Sequence, residues 1–132
     1  MALGHTWNRE LIRQVGYITG REARLLGYTN VYAPILDVGR DQRWGRYEEV
    51  YGESPYLVAE LGIAMGKGLQ TDMQVASTAK HFIAYSNNKG AREGFARVDP
   101  QMSWREVENI HAYPFTRVIQ EAGILGVMSS YN

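Results

Sequence analysis

The stretch SPYLVAELGIAMGKGL at residues 54–69, followed by VASTAKHFIA at 75–84, decides the fold class. Ser54 supplies a helix N-cap, and Pro55 takes the first helical position, where its missing N–H costs nothing. Leu57, Leu61, Met65 and Leu69 fall one turn apart and mark the inner face of that helix. The run that follows is short and mostly apolar, the pattern of a strand buried on both faces. A helix leading into such a strand is half of a crossover unit in a parallel α/β protein.

The same grammar repeats on either side. Upstream, Trp7, Leu11, Val15 and Ile18 form one apolar helical stripe, with Thr6 or Asn8 to cap its start and Gly27 to end it. VYAPILDV at 31–38 then reads as a strand, although Pro34 counts against a regular central one. Downstream, Ser103-Trp104-Arg105-Glu106 is a capping box opening a third helix. Val107, Ile110, Val118 and Ala122 keep its period, Gly123 closes it, and Pro114 should kink or split it near His111. A third strand is expected from Ile124 to about Tyr131. Three helices alternating with three strands imply a parallel sheet with right-handed crossovers. An open doubly wound sheet and a (β/α)8 barrel share this order. A whole barrel takes ~250 residues, so within a barrel the 132 residues would be an incomplete segment of one domain.

Composition narrows the partners. The 14 basic and 14 acidic residues cancel, which removes the global electrostatic case for nucleic acid or an anionic membrane. With no cysteine, disulfides and thiolate metal sites are excluded. No run approaches the ~18 apolar residues of a membrane helix, and the first residues lack the charged and apolar regions of a signal peptide. Neither metal nor cofactor is called for by any motif.

In parallel α/β folds ligands bind beyond the carboxyl ends of the strands. Three polar clusters fall there. The first strand leads into Asp37, Arg40, Asp41, Arg43 and Arg46. The second leads into Lys80, His81, Asn87, Asn88 and Arg92, and the third into Ser129, Ser130, Tyr131 and Asn132. The donors are mostly cationic, which suits sugar hydroxyls as well as anions. The loop at 39–45 has neither of the glycine patterns that cradle phosphate. Because Lys80 and His81 are adjacent, a regular strand would point them to opposite faces. If both serve one ligand, the backbone at Lys80-His81-Phe82 should be irregular, by a bulge or a cis peptide.

Four ordered motifs carry a resemblance: RDQRWGR at 40–46, Gly52-Glu53-Ser54-Pro55, Lys80-His81-Phe82, and Ser130-Tyr131-Asn132. Together they resemble family 3 glycoside hydrolases across nearly the whole chain. The resemblance implies a partial (β/α)8 barrel of a retaining, exo-acting β-glycosidase that takes β-glucosides or β-xylosides. By position, Arg46, Lys80 and His81 would hydrogen-bond the first sugar, Arg92 would join them, and Tyr131 would flank the reactive carbon. The nucleophilic aspartate would lie beyond Asn132, so no catalytic residue is assigned within the chain. Its partners would be a carbohydrate substrate and the remainder of its own parent chain, in a periplasmic or secreted protein. Ile83-Ala84-Tyr85-Ser86-Asn87 departs from the loop of the β-N-acetylglucosaminidase branch, which disfavours that branch.

Plainer roles compete at several positions. Arg40 and Asp41 read as a salt bridge shaping their loop, and Trp44 as packing beneath it. Glu48, Glu49 and Glu53 read as a solvated turn and helix start. His5 and His111 read as structural or exposed, and Tyr131 has an alternative as a core tyrosine. Two other functions share these residues: a Schiff-base lyase built on Lys80, and a non-catalytic carbohydrate-binding fragment.

Overall fold

The computed structural model describes residues 1–87 and 99–132. Helix α1 spans Arg9–Leu25, α2 spans Pro55–Leu69, and a third helix, α3, runs in three segments. These are Trp104–Glu106, a π-helical Val107–Ala112, and Tyr113–Ala122. The strands are β1 (Asn30–Val31), β2 (Ala76–Phe82) and β3 (Gly126–Ser129), parallel and in the order β1-β2-β3. The chain is therefore α/β, three parallel strands alternating with three helices.

The start signals act as their chemistry requires. Asn8, Ser54 and Ser103 each accept a backbone N–H three residues ahead, from Leu11, Leu57 and Glu106. Pro114 falls in the first turn of the last α3 segment, so the helix changes pitch through a π turn rather than breaking.

Two expectations need correction. The strand read over 31–38 is only two residues long, with one further parallel bridge from Ile35 to Lys80. Pro34 offers no N–H to the ladder, and its bond to Ala33 is cis. Leu36, Asp37 and Val38 are buried all the same. The stripe Trp7, Leu11 and Ile18 lies largely exposed, whereas α1 buries Ile12, Gly16 and Gly20. Glycine carries no hydropathy signal, yet it sets this contact. A Cβ on Gly16 would sit 2.7 Å from the Met65 carbonyl oxygen, and one on Gly68 2.3 Å from that of Arg13. The two helix backbones touch.

The core lies between the helices and β2. Leu61, Met65 and Leu69 of α2 pack with Ile12, Leu36, Val58, Phe115 and Val118. Glu60 ties the outer side together, accepting from Arg9 at 2.7 Å and from Arg117 at 2.8 Å. What the fold positions is the far end of the strands, where β2 turns irregular. The peptides Lys80-His81 and Phe82-Ile83 are cis, and the β2–β3 register shifts between Ala79 and Phe82. The irregular backbone expected from the adjacency of Lys80 and His81 is present.

Candidate functional site

Asp37 and His81, 44 residues apart, meet at the carboxyl ends of the first two strand segments. One carboxylate oxygen, Asp37 Oδ2, accepts the His81 ring at Nδ1 (2.8 Å) and the His81 backbone N–H (3.2 Å). Both side chains are 1% exposed. The other ring nitrogen, Nε2, lies 2.8 Å from Arg46 Nη1. Arg46 in turn donates through Nε and Nη2 to both oxygens of Glu49, at 2.5 and 2.7 Å. A single 3-10 turn, Tyr47–Glu49, brings Glu49 back over Arg46. A polar line results, Glu49, Arg46, His81, Asp37, partly buried at its first two members and fully buried at its last two.

Lys80 stands beside this line, partly buried; its backbone bonds Pro34 and Leu36, while its ammonium has no hydrogen-bond or ion-pair partner among the described residues. Burial pushes its ammonium below the ordinary lysine value, and the charge of Arg46 adds to that. Glu49 and Asp37 oppose it. The Arg46 guanidinium is held above its ordinary value, chiefly by its bonds to Glu49.

Aromatic rings wall the line. Tyr85 packs edge-on against Trp44 and His81, each at 5.2 Å, and Arg46 stands 5.9 Å from the Tyr85 ring centre. Tyr131 comes in from the third strand, 5.5 Å from the His81 ring and 5.4 Å from that of Tyr85. It is 52% exposed. Trp44 is 2% exposed and packs beneath the loop, as its plainer reading held.

Arg46, Lys80, His81 and Tyr131 are thus brought together. Arg92 and Asn88 lie outside the described residues. The expected Arg40–Asp41 salt bridge is replaced: Asp41 binds Arg43 through two oxygens, which lowers its carboxyl to about 2. The Asp41 carboxylate also accepts the backbone N–H of Arg43, so the local turn selects Arg43 over the adjacent Arg40.

Three members of the site were missed in the sequence. Glu49 read as part of a solvated turn, although its spacing of three from Arg46 suits a helical pair. Asp37 stood among the strand-end polar residues, but nothing local pairs it with His81. Tyr85 read only as the start of a loop. His111 is 2% exposed, its Nε2 without a hydrogen-bond partner among the described residues, and burial lowers its pKa. Among the described residues no three His, Cys, Asp or Glu are grouped to hold a metal ion.

The arrangement places cationic donors and aromatic rings at the strand ends of a parallel α/β segment, the end at which (β/α) barrels carry their sites. The whole chain, residues 1–132, matches the Glycosyl hydrolase family 3 N terminal domain, and it belongs to that family. A beta-xylosidase of Formosa agariphila is 41% identical over 140 residues, covering 99% of this chain and 19% of that protein. A beta-glucosidase of Rhizobium radiobacter is 36% identical, covering 100% and 16%. The crystal structure of a mutant beta-glucosidase from Listeria innocua in complex with laminaribiose superposes with a TM-score of 0.89. It is 36% identical, and 99% of this chain covers 19% of it. The chain spans about a fifth of the length of the relatives it matches.

Proposed function

We propose that residues 1–132 are an incomplete segment of the catalytic barrel of a retaining, exo-acting β-glycosidase for β-glucosides or β-xylosides. In this reading the segment holds the first sugar through Arg46, Lys80, His81 and, by position in the family motif, Arg92, with Tyr131 against the ring. The observation that carries it is Lys80, an unpartnered and partly desolvated cation beside the Arg46–His81 pair. An ammonium in that setting bonds a hydroxyl more strongly than it would in water, and the bond can tighten as the sugar distorts toward its transition state. The likeness to a structure that holds laminaribiose supports a carbohydrate ligand.

Retaining hydrolysis needs two carboxyl groups ~5 Å apart, one to attack and one to exchange protons. Asp37 is engaged by His81, and Glu49 by Arg46. The resemblance to the family implies a nucleophilic aspartate on a strand that follows Asn132. The test is proton NMR of the first product formed by the intact protein from an aryl β-glucoside and an aryl β-xyloside. Release of the β-anomer supports the reading, and release of the α-anomer overturns it. The isolated 132-residue chain should not exceed the buffer rate.

A further inference from the structure

The donors of Arg46 can be counted. A guanidinium carries five N–H groups and no acceptor. Three are engaged: Nε and Nη2 donate to the two oxygens of Glu49, at 2.5 and 2.7 Å, and Nη1 donates to His81 Nε2 at 2.8 Å. One N–H is left on Nη1 and one on Nη2, with no partner for either among the described residues.

The grip of Glu49 depends on its chemistry as well as its distance. Nε–H and the Nη2–H beside it run parallel, so they need two acceptor oxygens side by side. A carboxylate offers both. A carboxamide offers one oxygen and turns an N–H toward the second donor. The side chains of Arg46 and Glu49 are 13% and 24% exposed, so water competes weakly for these bonds. The 3-10 turn Tyr47–Glu49 carries the carboxylate back to the guanidinium. Its charge also reaches Lys80, whose ammonium Arg46 lowers and Glu49 raises.

We infer that Glu49 is a positioning residue: it clamps the Arg46 guanidinium against His81, so that the two remaining N–H groups are held for ligand oxygens before the ligand arrives. This inference rests on the sugar-binding reading and deepens it. A loose arginine would have to be ordered by the sugar itself, at the expense of affinity, whereas the clamp has ordered it already. Glu49 takes no part in bond cleavage and acts through Arg46.

The experiment measures kcat/KM of the intact protein on the aryl β-glycoside it turns over, in E49Q, R46M and the double variant, each folded at the assay temperature. Glu49→Gln keeps the size of the side chain and removes one acceptor and the charge. It should lower kcat/KM about 10- to 100-fold, the effect of one loosened charge-assisted donor. In the R46M background the same substitution should change kcat/KM by no more than about 2-fold, because its target is gone. An equal loss in both backgrounds means that Glu49 only shapes its turn, and it overturns the inference, as does wild-type activity in E49Q. A loss of ~10⁴-fold or more in E49Q also overturns it, by marking Glu49 as a catalytic carboxylate. Full activity of R46M sinks the sugar reading instead. If E49Q does not fold, the crystal structure of the wild-type protein with glucose decides. Glucose oxygens on the two free N–H groups of Arg46, with both Glu49 oxygens still on Nε and Nη2, support the inference. A glucose hydroxyl on Glu49 overturns it, and glucose away from Arg46 sinks the sugar reading.

Discussion

The side chain of Gln70 binds the backbone of Leu125, 55 residues ahead, through an oxygen it shares with the N–H of Ser77. Its amide nitrogen donates to the carbonyl of Gly123 at 3.1 Å. One residue after α2 thus joins the starts of β2 and β3, and Ser77 is fully buried there. Gln70→Ala leaves these backbone groups without that partner, at a cost of about 2 kcal/mol. Urea unfolding of the intact protein measures it. A loss near zero shows that water replaces the amide.

Gly68→Ala should cost more. The added methyl meets the carbonyl oxygen of Arg13 and the Cα of Gly16, both backbone atoms that cannot swing aside. The helices must part, with a loss of about 3 kcal/mol. Thermal unfolding reads the change, and a variant as stable as the parent means that α1 is free to slide.

Lys80→Ala should lower kcat/KM of the intact enzyme on an aryl β-glycoside by ~10²-fold, about 3 kcal/mol of transition-state binding. Lys80→Arg should not restore it, because a planar fork does not match a compact ammonium. Full activity in either variant removes Lys80 from the site.

His111 makes stability depend on pH in a defined direction. Burial lowers its folded pKa below the ordinary value of 6.5, so the unfolded chain binds the proton first as pH falls. Its contribution is complete above about 6.5 and is lost as the pH drops through the folded value. The charged groups that bear on the ring are Glu106 in its own helix, and Asp37 and Arg40 across from it. His111→Leu, which removes an unpartnered nitrogen, should be near neutral at pH 8 and flatten the acid limb of the stability curve. An unchanged limb assigns the acid sensitivity to other groups.

Much of this was legible in the sequence, and the exceptions share a cause. Helix starts at Asn8, Ser54 and Ser103 could be read because capping is local: donor and acceptor lie within three residues. Lys80 and His81 could be read locally too, since two adjacent residues that serve one ligand cannot both sit in a regular strand. Asp37 and Glu49 could not, because their roles exist only once His81 and Arg46 arrive. The inner face of α1 was missed because Gly16 and Gly20 bury backbone, which a hydropathy stripe does not register. The first strand was read too long, because VYAPILDV is mostly apolar like a buried strand while Pro34 interrupts its ladder.

The meeting of Gly16 with Gly68 also constrains how this protein can change over generations. A Cβ on either would lie about 3 Å from the Cα of the other, at 3.2 and 2.9 Å, so the two positions cannot vary independently. A lineage that enlarges one must first have loosened α1 against α2, and every intermediate on that route is less stable than its ancestor. The exposed stripe at Leu11 and Ile18 carries no such bar from within the segment. In a set of descendants, substitutions should accumulate on the outer surface of α1 while its glycine face stays locked, and any escape should arrive as paired changes in both helices.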